Sequence, residues 1–194
     1  MREHESATSL APPNNACSAE DLVTQMKVFH VSEEPDIGVF EPRRIETGGE
    51  SLVWAIDNAH LHNYLAPREC PRVTFYAGPG TTVADRDRLL GSSTAVVALE
   101  SGWFERMRSC RLFCYHFPGD TFECCDKTAG YFVSRAGVKP SRVDVIQDPV
   151  LTILQRGVEL RVLPDLWSLR DAVLESTLEF SIIRWRNASP RRAA

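Results

Sequence analysis

The sequence predicts an α+β fold. Many short runs have the length and the alternation of β-strands. Few stretches carry helical spacing, and the two kinds of element do not alternate strictly, as a parallel βαβ fold would require. A chain of 194 residues is one domain of ordinary size, long enough for a proper core.

The elements are read in order. Residues 1–25 are polar, with Pro12, Pro13, Asn14 and Asn15 at their middle, and are expected to be a flexible leader. A single folded unit is expected over 26–187. Residues 27–32 alternate as a strand, with Val28, His30 and Ser32 on one face and Phe29 and Val31 on the other. A turn and a short extended piece anchored by Ile37 and Phe40 follow, then a loop with two glycines at 46–50. Residues 51–56 form a buried strand. Asp57 is a suitable N-cap for a helix over 58–65, which Pro67 ends.

Residues 71–77 are a strand with Arg72, Thr74 and Tyr76 on one face. A surface helix over 83–90 closes at Gly91. A strand at 95–99 and a short helix at 101–107 come next. Residues 110–117 alternate strongly, and 130–134 and 142–146 read as two more strands. A short helix spans 148–155 and a strand 158–162. Asp165 then caps a long helix to about 186. That helix carries one apolar stripe through Leu166, Leu169, Val173, Phe180 and Ile183, and a second through Leu174, Leu178, Ile182 and Trp185. Two stripes imply burial over a wide arc, either in the domain centre or against a second copy in a homodimer. Residues 188–194 are expected to be a disordered basic tail.

The net charge of −4 disfavours general nucleic-acid binding, which works through phosphate neutralisation. Six cysteines are too few and too irregular for a disulfide scaffold. No export signal or membrane span is legible. The expected location is cytoplasmic.

Polar groups able to hold a phosphorylated ligand concentrate between residues 27 and 76. His30 and Ser32 share a strand face and could present an imidazole and a hydroxyl to one ligand edge; the plainer alternative is a core histidine. Tyr64 could stack on a flat heterocycle, or be a half-buried amphipathic residue. Arg43, Arg44, Arg68 and Arg72 carry guanidinium forks suited to phosphate oxygens, or pair with Glu33, Glu34, Glu41 and Glu69. Cys110, Cys114, His116, Cys124 and Cys125 do not have a standard zinc spacing, so no metal is expected. Glu159 could be a buried acid, but an outward position on an edge strand fits better. Phosphate-loop, dinucleotide and nucleophile-elbow motifs are absent.

Taken together, FHVSEEPDIGVFEPR, a glycine loop and SLVWAIDNAHLHNYL resemble the opening of the ADP-ribosyltransferase fold. CRLFCYHFPGDTF and AGYFVSRAGVKPSRVDVI resemble its closing half. The chain also resembles an uncharacterised bacterial family of unknown function over nearly everything after residue 26. The transferase resemblance implies split, mostly antiparallel sheets with flanking helices, and NAD as the nucleotide partner. It implies that His30 holds the ribose with Ser32 assisting, and that Tyr64 stacks on nicotinamide, His30 and Tyr64 being the catalytic pair. Arg43, Arg44, Arg68 and Arg72 would hold phosphate, with Tyr131 beside them. The family's first motif has glycine where this chain has Val31. Its glutamate falls at Gly130, where this chain has no carboxylate. The implied functions are therefore an ADP-ribosyl- or NAD-dependent RNA 2′-phosphotransferase, or a non-catalytic binding module with a degenerate transferase site.

Overall fold

The computed structural model of the chain describes residues 27–44 and 49–191. The expected leader and the tip of the 46–50 loop lie outside the described residues. Strands β1 (Lys27–Ser32), β2 (Val53–Ile56), β5 (Leu112–Pro118), β6 (Glu123–Asp126), β7 (Tyr131–Ser134) and β8 (Arg142–Ile146) form one sheet. Its order is β6-β7-β2-β1-β5-β8, antiparallel throughout. Strands β3 (Arg72–Tyr76), β4 (Ala95–Glu100), β9 (Glu159–Leu163) and β10 (Glu179–Ile183) form the second, ordered β10-β3-β4-β9. Here the β4–β9 pair is parallel and the others antiparallel. The architecture is α+β with two mostly antiparallel sheets.

The period-two patterns decide which residues meet. Phe29, Ile56 and Cys114 from the larger sheet face Val97 and Leu99 from the smaller one, and Leu65, Met107 and Ile153 fill the space between. Val28, Tyr115 and Phe117 point the opposite way. They are covered by Phe122, Val138 and the Ile37–Phe40 anchor. Both Val28 and Phe29 are buried because β1 is a central strand. On the outer face of the smaller sheet, Val73, Phe75, Val96 and Ala98 pack under Leu166 and Val173.

Four helices flank the sheets. Helix α1 (Val83–Asp85) is capped by the Thr82 side chain and runs on as a wider turn (Arg86–Leu90) that Gly91 ends at φ 58°. Helix α2 (Phe104–Ser109) follows β4 through a 3-10 turn (Ser101–Trp103). Helix α3 (Pro149–Gln155) is capped by Asp148, whose carboxylate accepts from the Leu151 amide at 2.9 Å. Helix α4 (Trp167–Leu174) packs its Val173 side on the smaller sheet.

The long C-terminal helix is not formed. Helix α4 ends at Leu174, and the chain continues as β10, an edge strand paired with β3 in register Phe180↔Phe75 and Ile182↔Val73. Ser176 turns its hydroxyl onto the Val173 carbonyl at 2.7 Å. Thr177 gives its amide and its hydroxyl to Asp85, at 2.9 and 2.7 Å. The Ser176 bond is local and the Thr177 bonds reach 92 positions back, and both compete with helix propagation; the β-branched Ile182 and Ile183 favour the pleated alternative. The second apolar stripe is thus split between a helix and a strand, and the argument for a dimer through one long helix loses its premise.

The expected helix over 58–65 is also shortened, to a 3-10 turn (Leu61–Tyr64). Its N-cap position is His60 and no side chain caps it; Asp57 instead accepts the His60 amide at 2.8 Å, one step before the turn. Strand β6 escaped sequence reading because all four of its residues are exposed. Of 188–194, residues 188–191 lie within the described structure. Ser189 donates through its amide and hydroxyl to the buried Glu100 carboxylate, each at 2.9 Å to one of its oxygens.

Candidate functional site

The site begins with a fault in the larger sheet. Strands β1 and β2 are in register at Phe29↔Ile56, and beyond that pair no ladder joins them. The next residues on β1 are His30 and Val31, and the carbonyl left without a strand partner is that of Trp54. His30 fills the gap, its Nδ1 lying 2.9 Å from the Trp54 oxygen. A carbonyl can only accept, so Nδ1 carries the hydrogen, and in the neutral ring Nε2 is an acceptor. Burial holds the His30 pKa below the usual histidine range. The Trp54 bond opposes that shift, and the charges of Arg68 and Arg43 reinforce it. His30 is therefore neutral at pH 7. The Phe40 ring packs against it at 4.9 Å.

The splayed strands open onto a cleft of about 400 Å³ between the two sheets. His30, Ser32, Tyr64, Arg68, Arg72 and Tyr131 line it, together with Ser181 and Arg184 from the end of β10. Tyr64 donates its phenol to the Tyr131 oxygen at 3.0 Å, and Tyr131 in turn lies 3.2 Å from the Ser181 hydroxyl. Burial, with Tyr131 nearby, pushes the Tyr64 phenol above its ordinary pKa, so it acts as a neutral donor and not as a base. Behind this row, Phe29, Trp54, Ile56, Tyr64 and Tyr131 enclose an apolar slot of about 290 Å³. Trp54 meets Tyr131 edge-on at 6.0 Å, and its Nε1 is buried with no hydrogen-bond partner among the described residues.

The four arginines part into different roles. Arg72 is fully buried. Its Nε donates to the Asn63 carbonyl at 2.6 Å, one terminal nitrogen donates to the Cys70 carbonyl at 2.9 Å, and its guanidinium lies 5.5 Å from the Tyr64 ring centre. It braces the turn that presents Tyr64. Arg68 is exposed, and its amide donates to Glu33 at 2.9 Å. Arg43 and Arg44 line an adjoining lobe of about 500 Å³, which shares His30, Ser32, Arg68 and Arg184 with the main cleft. Among the described residues no ion pair joins these four arginines to a carboxylate. Glu33 pairs instead with Arg106 at 3.0 Å, and Glu69 with Arg184 at 3.6 Å and Arg186 at 3.5 Å. The result is a positively charged cleft on an acidic protein.

Gly130 does not sit where a carboxylate could replace it. Its φ is 69°, and a Cβ built there would lie 2.3 Å from His60 Nδ1 and 2.8 Å from the Asp57 carboxylate. Those two side chains are locked to each other at 2.7 Å, and the Asp57 amide donates to the Gly130 carbonyl at 3.0 Å. Burial pushes the Asp57 pKa up, but hydrogen bonds from His60 and Ala59 outweigh it and leave the carboxyl below its usual range. Glu33 lines the main cleft, yet both of its oxygens are engaged.

On the same turn, His62 is buried. Burial lowers its pKa to about 4, with help from the charges of Arg156 and His60 and against the backbone of Ala59 and the charge of Asp57. The unfolded chain therefore takes up this proton first as pH falls through the ordinary histidine range. Unfolding free energy should drop by up to roughly 3 kcal/mol between pH 7 and pH 4 on this account, with His30 acting in the same direction. Denaturant titrations at the two pH values check this. A His62→Gln variant should show a flatter profile, and an equal drop in both proteins would overturn the assignment.

The remaining candidates lie elsewhere. His116 bonds Asp144 at 2.8 Å, Cys114 is buried, and Cys124 and Cys125 lie exposed on β6. Among the described residues no group of three or more metal-binding side chains comes together. Glu159 on β9 is held by Arg161 at 2.6 Å and Ser93 at 2.5 Å. Three residues of the cleft were not picked from sequence. Ser181 and Arg184 were hidden inside the supposed long helix. Trp54 was covered only by the buried strand expected over 51–56, and nothing in that run singles it out. No described helix is long and apolar enough to cross a membrane.

No curated protein and no solved structure matches this chain. A family model described as a family of unknown function, DUF6886, matches residues 29–188, which takes in β1 with His30, both sheets and the whole cleft. The chain belongs to that family.

Proposed function

We propose that the cleft binds a dinucleotide of the NAD type and that the protein is an ADP-ribosyltransferase-like enzyme acting on a small molecule or a nucleic-acid end. The observation that carries this reading is the convergence of His30, Ser32, Tyr64 and Arg68 on one cleft between two sheets. The residues fit such a ligand. The neutral His30 offers an acceptor nitrogen suited to a ribose hydroxyl. The slot walled by Trp54, Tyr64 and Tyr131 suits a flat ring, and the unpartnered Trp54 Nε1 suits a polar substituent on it. Arg68, with Arg43 and Arg44 next door, suits phosphate oxygens.

Bound NAD would supply an electrophilic ribose carbon with nicotinamide as leaving group. The protein's part is to orient and to stabilise charge. His30 and Ser32 fix the sugar, Tyr64 offers its ring face while its hydroxyl stays on Tyr131, and the sheets exclude water from between them. A carboxylate free to activate an acceptor is missing among the described residues that line the main cleft. Turnover is therefore expected to be slow, or to depend on an acceptor that brings its own nucleophile. The structural role of Gly130 favours a second reading, a binding module that holds the nucleotide without cleaving it.

Calorimetry with NAD tests binding. Wild type should bind in the micromolar to sub-millimolar range, and His30→Ala should weaken binding by about tenfold or more, ~1.4 kcal/mol. No heat at millimolar NAD removes the proposal. Chromatographic detection of released nicotinamide then separates enzyme from module.

A further inference from the structure

Arg184 follows β10 directly and sits in the left-handed region, φ 53° and ψ 35°. Any residue with a Cβ is disfavoured there, and glycine or asparagine is the usual occupant. Such conformations persist where the surroundings enforce them, and they concentrate at ligand sites. At this position the chain carries an arginine. What it brings is a guanidinium at one particular place. His30, Ser32, Arg68 and Arg184 border both the main cleft and the adjoining arginine lobe, so they form the sill between the two. Arg184 donates its Nε to the Arg68 carbonyl at 3.2 Å, which ties the two residues together. Its charge is balanced by Glu69 at 3.6 Å, a carboxylate that also serves Arg186 and Asn187. Its side chain remains about one-third exposed, at 32%.

We propose that Arg184 and Arg68 form an anion clamp on this sill, taking the diphosphate of a ligand whose two arms enter the two lobes. The clamp needs only a phosphorylated ligand; the two-armed form rests on the dinucleotide reading above. Arg184 is thus a binding residue, and its backbone conformation is the means by which its guanidinium is turned back over Arg68.

The test uses two variants that keep the backbone at ease, Arg184→Gly and Arg184→Asn, titrated with inorganic pyrophosphate and with NAD beside wild type. Both variants should melt at or above the wild-type temperature, because their residues tolerate positive φ. Both should bind pyrophosphate and NAD about tenfold or more weakly, and the slope of affinity against salt should fall. If both variants melt well below wild type, Arg184 is a structural brace and the clamp is overturned. Equal NAD affinity in wild type and variants overturns the clamp and leaves the dinucleotide reading standing. Pyrophosphate binding that depends on Arg184, with no NAD binding, keeps the clamp and removes the dinucleotide. Neither ligand binding to wild type at millimolar concentration removes both.

Discussion

Gly130→Glu is expected to destabilise the protein and not to restore a transferase carboxylate. The substitution must place a Cβ 2.3 Å from His60 Nδ1 and hold an L-residue at φ 69°. The left-handed backbone costs roughly 1–2 kcal/mol, and overpacking against a rigid neighbour roughly 1–3 kcal/mol more. The neighbours cannot move aside cheaply. Asp57 accepts the His60 amide one step before the Tyr64 turn and the His60 ring is bonded to it, so relief of the clash would tilt Tyr64 out of the cleft. Loss of roughly 2–5 kcal/mol should lower the melting temperature by about 4–20 °C in a domain of this size. Gly130→Ala should show most of the effect. A Gly130→Glu protein that melts like wild type and releases nicotinamide faster would overturn this account and make the glycine an eroded catalytic position.

Arg72→Ala is expected to have a comparable effect, through the fold and not through the ligand. Its guanidinium is wholly buried, and burial pushes its pKa below the usual arginine value. It satisfies the carbonyls of Asn63 and Cys70, and truncation would leave both unpaired beside a cavity. Each stranded acceptor costs roughly 1–3 kcal/mol, so the two together cost about 2–6 kcal/mol, and the cavity adds to that. Arg72→Lys should recover part of this, since one ammonium cannot reproduce the fork. Chemical denaturation supplies the measurement. A variant with wild-type stability and lost NAD binding would make Arg72 a ligand contact and refute its role as a brace.

These two positions also mark where the sequence was legible and where it was not. The alternation in 27–32, 71–77 and 110–117 assigned faces that the two sheets use, because a period of two is fixed by the pleat itself. Asp57 was readable as the start of a turn, because its bond to the His60 amide is local, although it does not cap the turn that forms. His30, Ser32, Tyr64, Arg68, Arg72 and Tyr131 do line one cleft, and Arg43 and Arg44 the next. The burial of Arg72 was not legible. A guanidinium in a strand looks the same whether it meets solvent or three carbonyls. Gly130 looked like a missing glutamate because its φ is invisible in the sequence. The break after Leu174 was hidden for a different reason. Glu175, Ser176 and Thr177 include neither glycine nor proline, and the bonds that stop the helix reach across 92 positions to Asp85.

The row of hydroxyls has a consequence for how the molecule would open. Tyr131 stands on one sheet and Ser181 on the other, with Tyr64 feeding the first of them. The two layers are therefore fastened at the mouth by a stitch of oxygen atoms. A guest sliding between the layers must either offer an oxygen to that stitch or cut it. On that account a hydroxylated guest should enter at less cost than a bare hydrocarbon.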